Sequence, residues 1–159
     1  MASLDARSIK EERLVAAMSL QVLKFTAWET WEKEGSTILI GVHGSKGLAK
    51  EFAAIAVAND CEVEVVEDSF ATSDLSRFDV VFFSGENLGL SARLMAKVEG
   101  LPVLLMGDIE EFLEMGGMVY FHSKQSRLTF DIDLSNSRKK GIGFRAKLLR
   151  LADRVVNDE

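Results

Sequence analysis

Residues 37–66 read TILIGVHGSKGLAKEFAAIAVANDCEVEVV. The run from Thr37 to Val42 is apolar on both alternating faces, as in a central strand that is covered on both sides. From Lys46 to Ala58 the period changes, and Leu48, Phe52, Ile55 and Ala56 fall on one helical face. Cys61 to Val66 then alternates acid with apolar, the mark of a half-exposed strand. Strand, helix and strand follow one another with short connections, so this stretch predicts a parallel crossover unit.

The same alternation continues outward. Upstream, Leu14, Val15, Met18, Val22 and Phe25 recur at three- and four-residue steps, predicting a helix over Ser8–Phe25 with Ser8 as N-cap. Downstream, Asp79–Phe83 is an apolar strand and Leu88–Val98 a helix. Pro102–Met106 is a further apolar strand, with a short helix expected over Ile109–Met115. This order predicts an α/β fold of three layers with a mainly parallel, Rossmann-like sheet. The ending breaks the rhythm. Met118–Phe121 and Arg127–Asp131 are β-like runs joined by His122–Ser126, too short for a crossover, so they are expected to pair as an antiparallel hairpin. A final helix is expected over Phe144–Val156. Phe144, Leu148, Leu151 and Val155 form its apolar stripe, and Arg145, Lys147, Arg150 and Arg154 lie on its other faces. Residues 8–156 are thus expected to form one domain, with 1–7 a disordered or cloning-derived tail.

Composition narrows the function. The chain has 159 residues and a formal net charge of −6, which argues against wholesale nucleic-acid binding, since that needs a basic footprint on the phosphates. No apolar run approaches the roughly 20 residues needed to span a bilayer. Met1–Arg13 is polar and lacks a signal-peptide core. Two readings follow: a cytoplasmic protein, or an exported one whose leader has been replaced by Met1-Ala2-Ser3. Cys61 is the single cysteine; neither an intramolecular disulfide nor a cysteine zinc set can form.

The motif most suggestive of chemistry is Gly41-Val42-His43-Gly44-Ser45-Lys46-Gly47, which joins a strand to a helix. Backbone N–H groups at such a helix start can hold phosphate, making Gly44, Ser45 and Lys46 candidate ligand contacts. The spacing departs from both GxxxxGK[ST] and GxGxxG, and a tight turn that needs small residues is the better account of it. Ser84-Gly85-Glu86-Asn87 ends another apolar strand, where doubly wound folds place their ligand crevice; Ser84, Glu86 and Asn87 are candidates there. His43 and His122 show no ligand-type partner at fixed spacing. GxSxG is absent, so neither a catalytic set nor a metal or cofactor site is assigned. The C-terminal cations Arg145, Lys147, Arg150 and Arg154 read either as a solvated helix face or as a docking face for an acidic partner.

Gly116-Gly117-Met118-Val119-Tyr120-Phe121, Arg127-Leu128-Thr129-Phe130-Asp131-Ile132-Asp133 and Lys147-Leu148-Leu149-Arg150-Leu151-Ala152 together resemble the YfiR family. There a Gly-Gly-Met-Ile run leads to a Phe-Glu-Ile-Asn strand end and a Leu-Leu-x-Leu-Ala helix. Phe25-Thr26-Ala27-Trp28 is similar to the aromatic signature closing that family's first helix. Pro102–Leu105 and Gly107-Asp108, ahead of Phe112, are similar to its penultimate strand and turn. The resemblance runs from about Arg13 to Val156. Glu29 stands where the family has Pro, Asp131 replaces Glu and Asp133 replaces Asn; with Cys61 alone, the paired cysteines of some members are missing.

The resemblance implies a periplasmic, non-catalytic regulator that represses a membrane-anchored diguanylate cyclase, lowering cyclic-di-GMP and disfavouring biofilm. Related domains are fused to sensor kinases, and homodimers are compatible with the family. Direct membrane insertion is not implied. Phe25, Trp28, Gly116, Gly117, Phe130, Asp131, Leu148 and Leu149 carry the motif and are expected to serve packing. The alternative is a small-ligand-binding sensory domain.

Overall fold

Residues 9–28, 37–59, 61–66, 75–85 and 88–157 are described by the computed structural model; the expected Ser8 cap, Glu29, Glu86 and Asn87 lie outside them. In chain order the elements are α1 (Ile9–Lys24), β1 (Thr26–Trp28), β2 (Ile38–His43), α2 (Lys46–Ala56), β3 (Cys61–Val65) and β4 (Val80–Phe83). There follow α3 (Leu88–Lys97), β5 (Leu104–Gly107), β6 (Val119–Lys124) and β7 (Arg127–Asp133). The chain closes with α4 (Leu134–Arg138), β8 (Ile142–Phe144), α5 (Ala146–Leu151) and β9 (Arg154–Val156).

The apolar strands pair as their composition dictates. A seven-stranded sheet has the order β3-β2-β4-β5-β6-β7-β9, and only the β6–β7 pair is antiparallel. Its register aligns Val42, Phe82, Met106, Val119 and Ile132 in one row across five strands, and all five are buried. Phe82 continues this face: its ring lies 5.7 Å from Phe52 of α2 and 5.7 Å from Phe121, which lies 5.9 Å from Phe130. Successive strand residues point to opposite faces, so Phe83 looks the other way and meets Phe112 at 5.9 Å. The segment bearing Phe112 therefore covers the second face. Since β4–α3–β5 crosses the sheet in the opposite direction to β2–α2–β3, right-handed crossovers put α3 on that second face as well. The fold is the mainly parallel α/β arrangement expected, with the hairpin and a C-terminal helix.

Three local expectations are corrected. Residues 110–116 form consecutive turns in place of the helix expected over Ile109–Met115: Glu111 has φ 66°, which an α-helix cannot accommodate. The carbonyls of Leu113 and Gly117 are instead satisfied by Asn136 Nδ2, at 2.9 and 2.7 Å. The hairpin connection is Gln125-Ser126, with φ 53° and 66°, the signature of a tight two-residue turn, so His122, Ser123 and Lys124 belong to β6. The last helix stops at Leu151, because Ala152 turns extended at ψ 146°. Asp153 N–H then bonds Phe130 O at 2.8 Å, and 154–156 adds to the sheet as β9, parallel to β7. The apolar stripe expected on one helix is thereby divided: Leu148 is 1% exposed, but Leu151 is 57% exposed.

A small second sheet, unforeseen in the sequence, pairs β1 with β8. It forms because α1 ends early: Thr26 Oγ1 donates to Val22 O at 2.8 Å, and the chain leaves extended.

Phe82 is fully buried between Phe52 and Phe121. Phe82→Ala is expected to lower unfolding free energy by about 3–5 kcal/mol in urea melts, the cost of a large core cavity.

Candidate functional site

Two places gather polar groups at the strand ends. The first is the strand-order reversal between β2 and β4, which brings Gly44 and Ser84 together. Gly44 has φ 94°, and a Cβ there would lie 1.7 Å from Ser84 O. Ser84 N–H bonds His43 O at 2.8 Å, so the two loops pack backbone to backbone. Ser84 is buried, and its hydroxyl donates to Asp108 Oδ2 at 3.0 Å. Ser45 caps α2: its Oγ accepts from Leu48 N–H at 3.0 Å and donates to Glu12 Oε2 at 3.1 Å. The Glu12 carboxylate of α1 thus sits beside the N-terminus of α2, where a helix dipole favours negative charge. Lys46, the first residue of α2, is exposed. Sequence reasoning missed Glu12, because its spacing on α1 reveals nothing about α2.

The second place is the C-terminal face, and the register row next to the apolar one leads to it. His43, Phe83, Gly107, Tyr120, Asp131 and Arg154 align across the sheet. The row is apolar at β4, becomes polar at β6 and ends on the edge strand. His122, two residues beyond Tyr120, places Nε2 3.0 Å from Asp131 Oδ1. The Tyr120 and His122 rings stack at 5.1 Å. Arg154 Nε lies 4.0 Å from Asp131 Oδ2, and Lys124 Nζ donates to Asp153 Oδ1 at 3.0 Å. A cleft of about 440 Å³ opens beside this group, bordered by Glu110, Glu111, Glu114, Tyr120, Asp131 and Arg154. Tyr120 loses its proton less readily than an ordinary tyrosine, first because it is partly buried and then because Glu110, Asp131, Asp108 and Glu114 oppose the phenolate.

The candidate docking cations divide between elements. Arg145, Lys147 and Arg150 are exposed on α5 and its N-cap, while exposed Arg154 lies on β9. Lys147 Nζ stands 5.5 Å over the Phe25 ring, and Arg145 N–H bonds Phe25 O at 2.9 Å, which ties α5 to the end of α1. The motif residues include a buried set: Phe130 and Leu148 lie in the core, and Leu149 and Phe25 pack against it. Trp28 pairs with Ile142 through the backbone. Gly116 has φ 107°, and a Cβ on Gly117 would meet the Phe112 ring at 2.2 Å. Asp131 is buried in the polar group just described.

Fold and surface together define a Rossmann-like α/β domain whose charged face is built by its C-terminal third. A model of the YfiR/HmsC-like family matches residues 12–153, and the chain belongs to that regulatory family. Two solved structures share the fold. One is an ABC domain in complex with L-Trp from Streptococcus pneumonia, with TM-score 0.65 and 15% identity over 89% of this chain. The other is a conserved domain protein from Vibrio cholerae O1 biovar eltor strain N16961, with TM-score 0.66 and 12% identity over 91% of this chain. The chain spans 60% of the length of each. No curated protein matches the sequence. Among the described residues no helix is long and apolar enough to cross a membrane.

Two outcomes are expected. Gly44→Ala must force apart the two strand-end loops, and should cost about 2–4 kcal/mol in denaturant melts. Tyr120 is the single tyrosine, so phenolate absorbance reports it alone; its midpoint should lie above the ordinary value of 10.0. Asp131→Asn should bring the midpoint down, by removing one opposing charge. The unfolded chain ionises first, so stability should fall as pH rises from about 10 towards the folded midpoint.

Proposed function

We propose that this chain is a periplasmic regulator that binds the extracytoplasmic domain of a membrane diguanylate cyclase and holds it inactive, lowering cyclic-di-GMP output. The observation that carries the reading is the family match over residues 12–153, which takes in the sheet as far as β7 and the basic helix α5. The described side chains support a binding rather than a chemical role for that face. On a chain of net charge −6, Arg145, Lys147 and Arg150 cluster exposed on one short helix and its N-cap, beside the exposed Leu151. Cations around an apolar contact suit an acidic partner surface, with the charges steering encounter and the apolar group excluding water.

Repression of this kind requires no covalent step. It requires tighter binding to the inactive cyclase than to the active one; turning a 1:99 population into 99:1 takes about 5.5 kcal/mol of differential affinity. A sensor kinase carrying a similar extracytoplasmic surface would be read by the same rule.

A second reading, a small-ligand sensor, is favoured by the strand-order reversal that brings Gly44 and Ser84 together. Thermal-shift screening with nucleotides and amino acids tests it; a rise in Tm that Ser84→Ala abolishes would support it, and no rise with any class would remove it.

The main reading is tested by calorimetric titration of the chain into the purified extracytoplasmic domain of a diguanylate cyclase from the same organism. Saturable binding, micromolar or tighter, is expected. The double change Lys147→Glu and Arg150→Glu should weaken it about tenfold or more and flatten its salt dependence. No heat, together with no complex on gel filtration, would remove that cyclase as partner.

A further inference from the structure

We propose that His122, Asp131 and Asp153 form a site for a divalent transition metal of the zinc class, which fastens the edge strand β9 to the β6–β7 hairpin. The three residues come from three separate places in the chain. Hairpin register sets His122 diagonal to Asp131, with Nε2 3.0 Å from Oδ1. Asp153 precedes β9, and its N–H is held by Phe130 O at 2.8 Å, which fixes its backbone beside β7. One ligand atom from each residue lies within 4.8 Å of the other two. Tetrahedral zinc bound at about 2.0–2.1 Å needs ligand atoms roughly 3.3–3.5 Å apart. Carboxylate rotation closes that difference without moving a strand.

The donor set is chemically suited to such an ion. One imidazole nitrogen and two carboxylates offer mixed N/O ligation and neutralise a double positive charge, a set that suits zinc better than magnesium or calcium. Three protein ligands leave a fourth place for water. Tyr120 stacks on the His122 ring and restrains its orientation. Glu110, Glu111 and Glu114 border the adjoining cleft and lend it a negative potential that draws cations in. Two cations now sit near the carboxylates: Lys124 on Asp153, and Arg154 at 4.0 Å from Asp131. Their side chains are 60% and 64% exposed, so both can swing into solvent as a metal enters, and exposed pairs of this kind are weak. Binding replaces the His122–Asp131 hydrogen bond and releases any proton held on the imidazole.

The chain's short ligand inventory makes the test decisive. It has two histidines and one cysteine. His43 is buried, with Nδ1 bonded to Val66 O at 3.0 Å, and Cys61 is buried. Zinc chloride is titrated calorimetrically into the untagged full chain. One-to-one binding in the micromolar range is expected, with a Tm rise of a few degrees at saturating zinc. His122→Ala and Asp153→Asn, each checked for native circular dichroism, should each weaken binding roughly tenfold or more. His43→Gln should leave it unchanged, and magnesium chloride should give no saturable heat. Asp153 is exposed, so Asp153→Asn keeps the test informative if His122→Ala unfolds. Absence of saturable zinc binding would overturn the proposal, as would binding that survives both His122→Ala and Asp153→Asn.

Discussion

Strand register is the constraint on which the rest of this molecule depends. Val42, Phe82, Met106, Val119 and Ile132 occupy one row of the sheet, and the next residue of each strand faces the other way. Because the side-chain period is two, slipping any strand by one residue would exchange the rows. Phe82 would lose Phe52 and Phe121, and Asp131 would turn into the apolar layer beneath α1 and α2. The apolar row makes that slip expensive, and so it also places the polar one. Tyr120, Asp131 and Arg154 share a face because five neighbouring residues are buried on the opposite side.

Much of this was legible in the sequence. Continuous apolar runs announced β2, β4 and β5, helical spacing announced α1, α2 and α3, and the short polar connection announced an antiparallel pair at β6–β7. Those signals are local, and they survive because each element buries the face its own period defines. Gly44, Ser45 and Ser84 stood out as candidates on two separate strand-end loops, but that those loops pack against each other follows only from the pairing of β2 with β4.

What could not be read depends on long-range pairing. The spacing of Phe144, Leu148, Leu151 and Val155 fits a helix, yet Asp153 N–H finds Phe130 O and the chain joins the open side of β7 instead. An unsatisfied sheet edge outweighed helical propensity in a short segment, as tertiary context commonly does. The hairpin shows the same limit on a smaller scale. Expecting the connection to include His122 removed that residue from the strand, and with it the register that sets it diagonal to Asp131. Only the left-handed Gln125 and Ser126 shorten the turn enough to restore the pairing, and neither residue type advertises that conformation.

The C-terminal third therefore has a structural logic distinct from that of the parallel half. Strands β4 and β5 are buried throughout and tolerate few changes, whereas β9 closes the sheet beyond β7 with one side open. The connection from α5 to β9 passes through Ala152 and Asp153, so the cations on the helix and the arginine on the strand are separated by a single turn of chain. Any contact that holds Asp153 against the hairpin also limits how far α5 can move relative to the sheet. Conversely, a partner gripping α5 pulls on β9, whose pairing extends over only three residue pairs. Binding at the basic helix and order at the edge strand are thus linked through the same short stretch, and by reciprocity whatever stabilises one state of that stretch alters affinity for whatever binds the other.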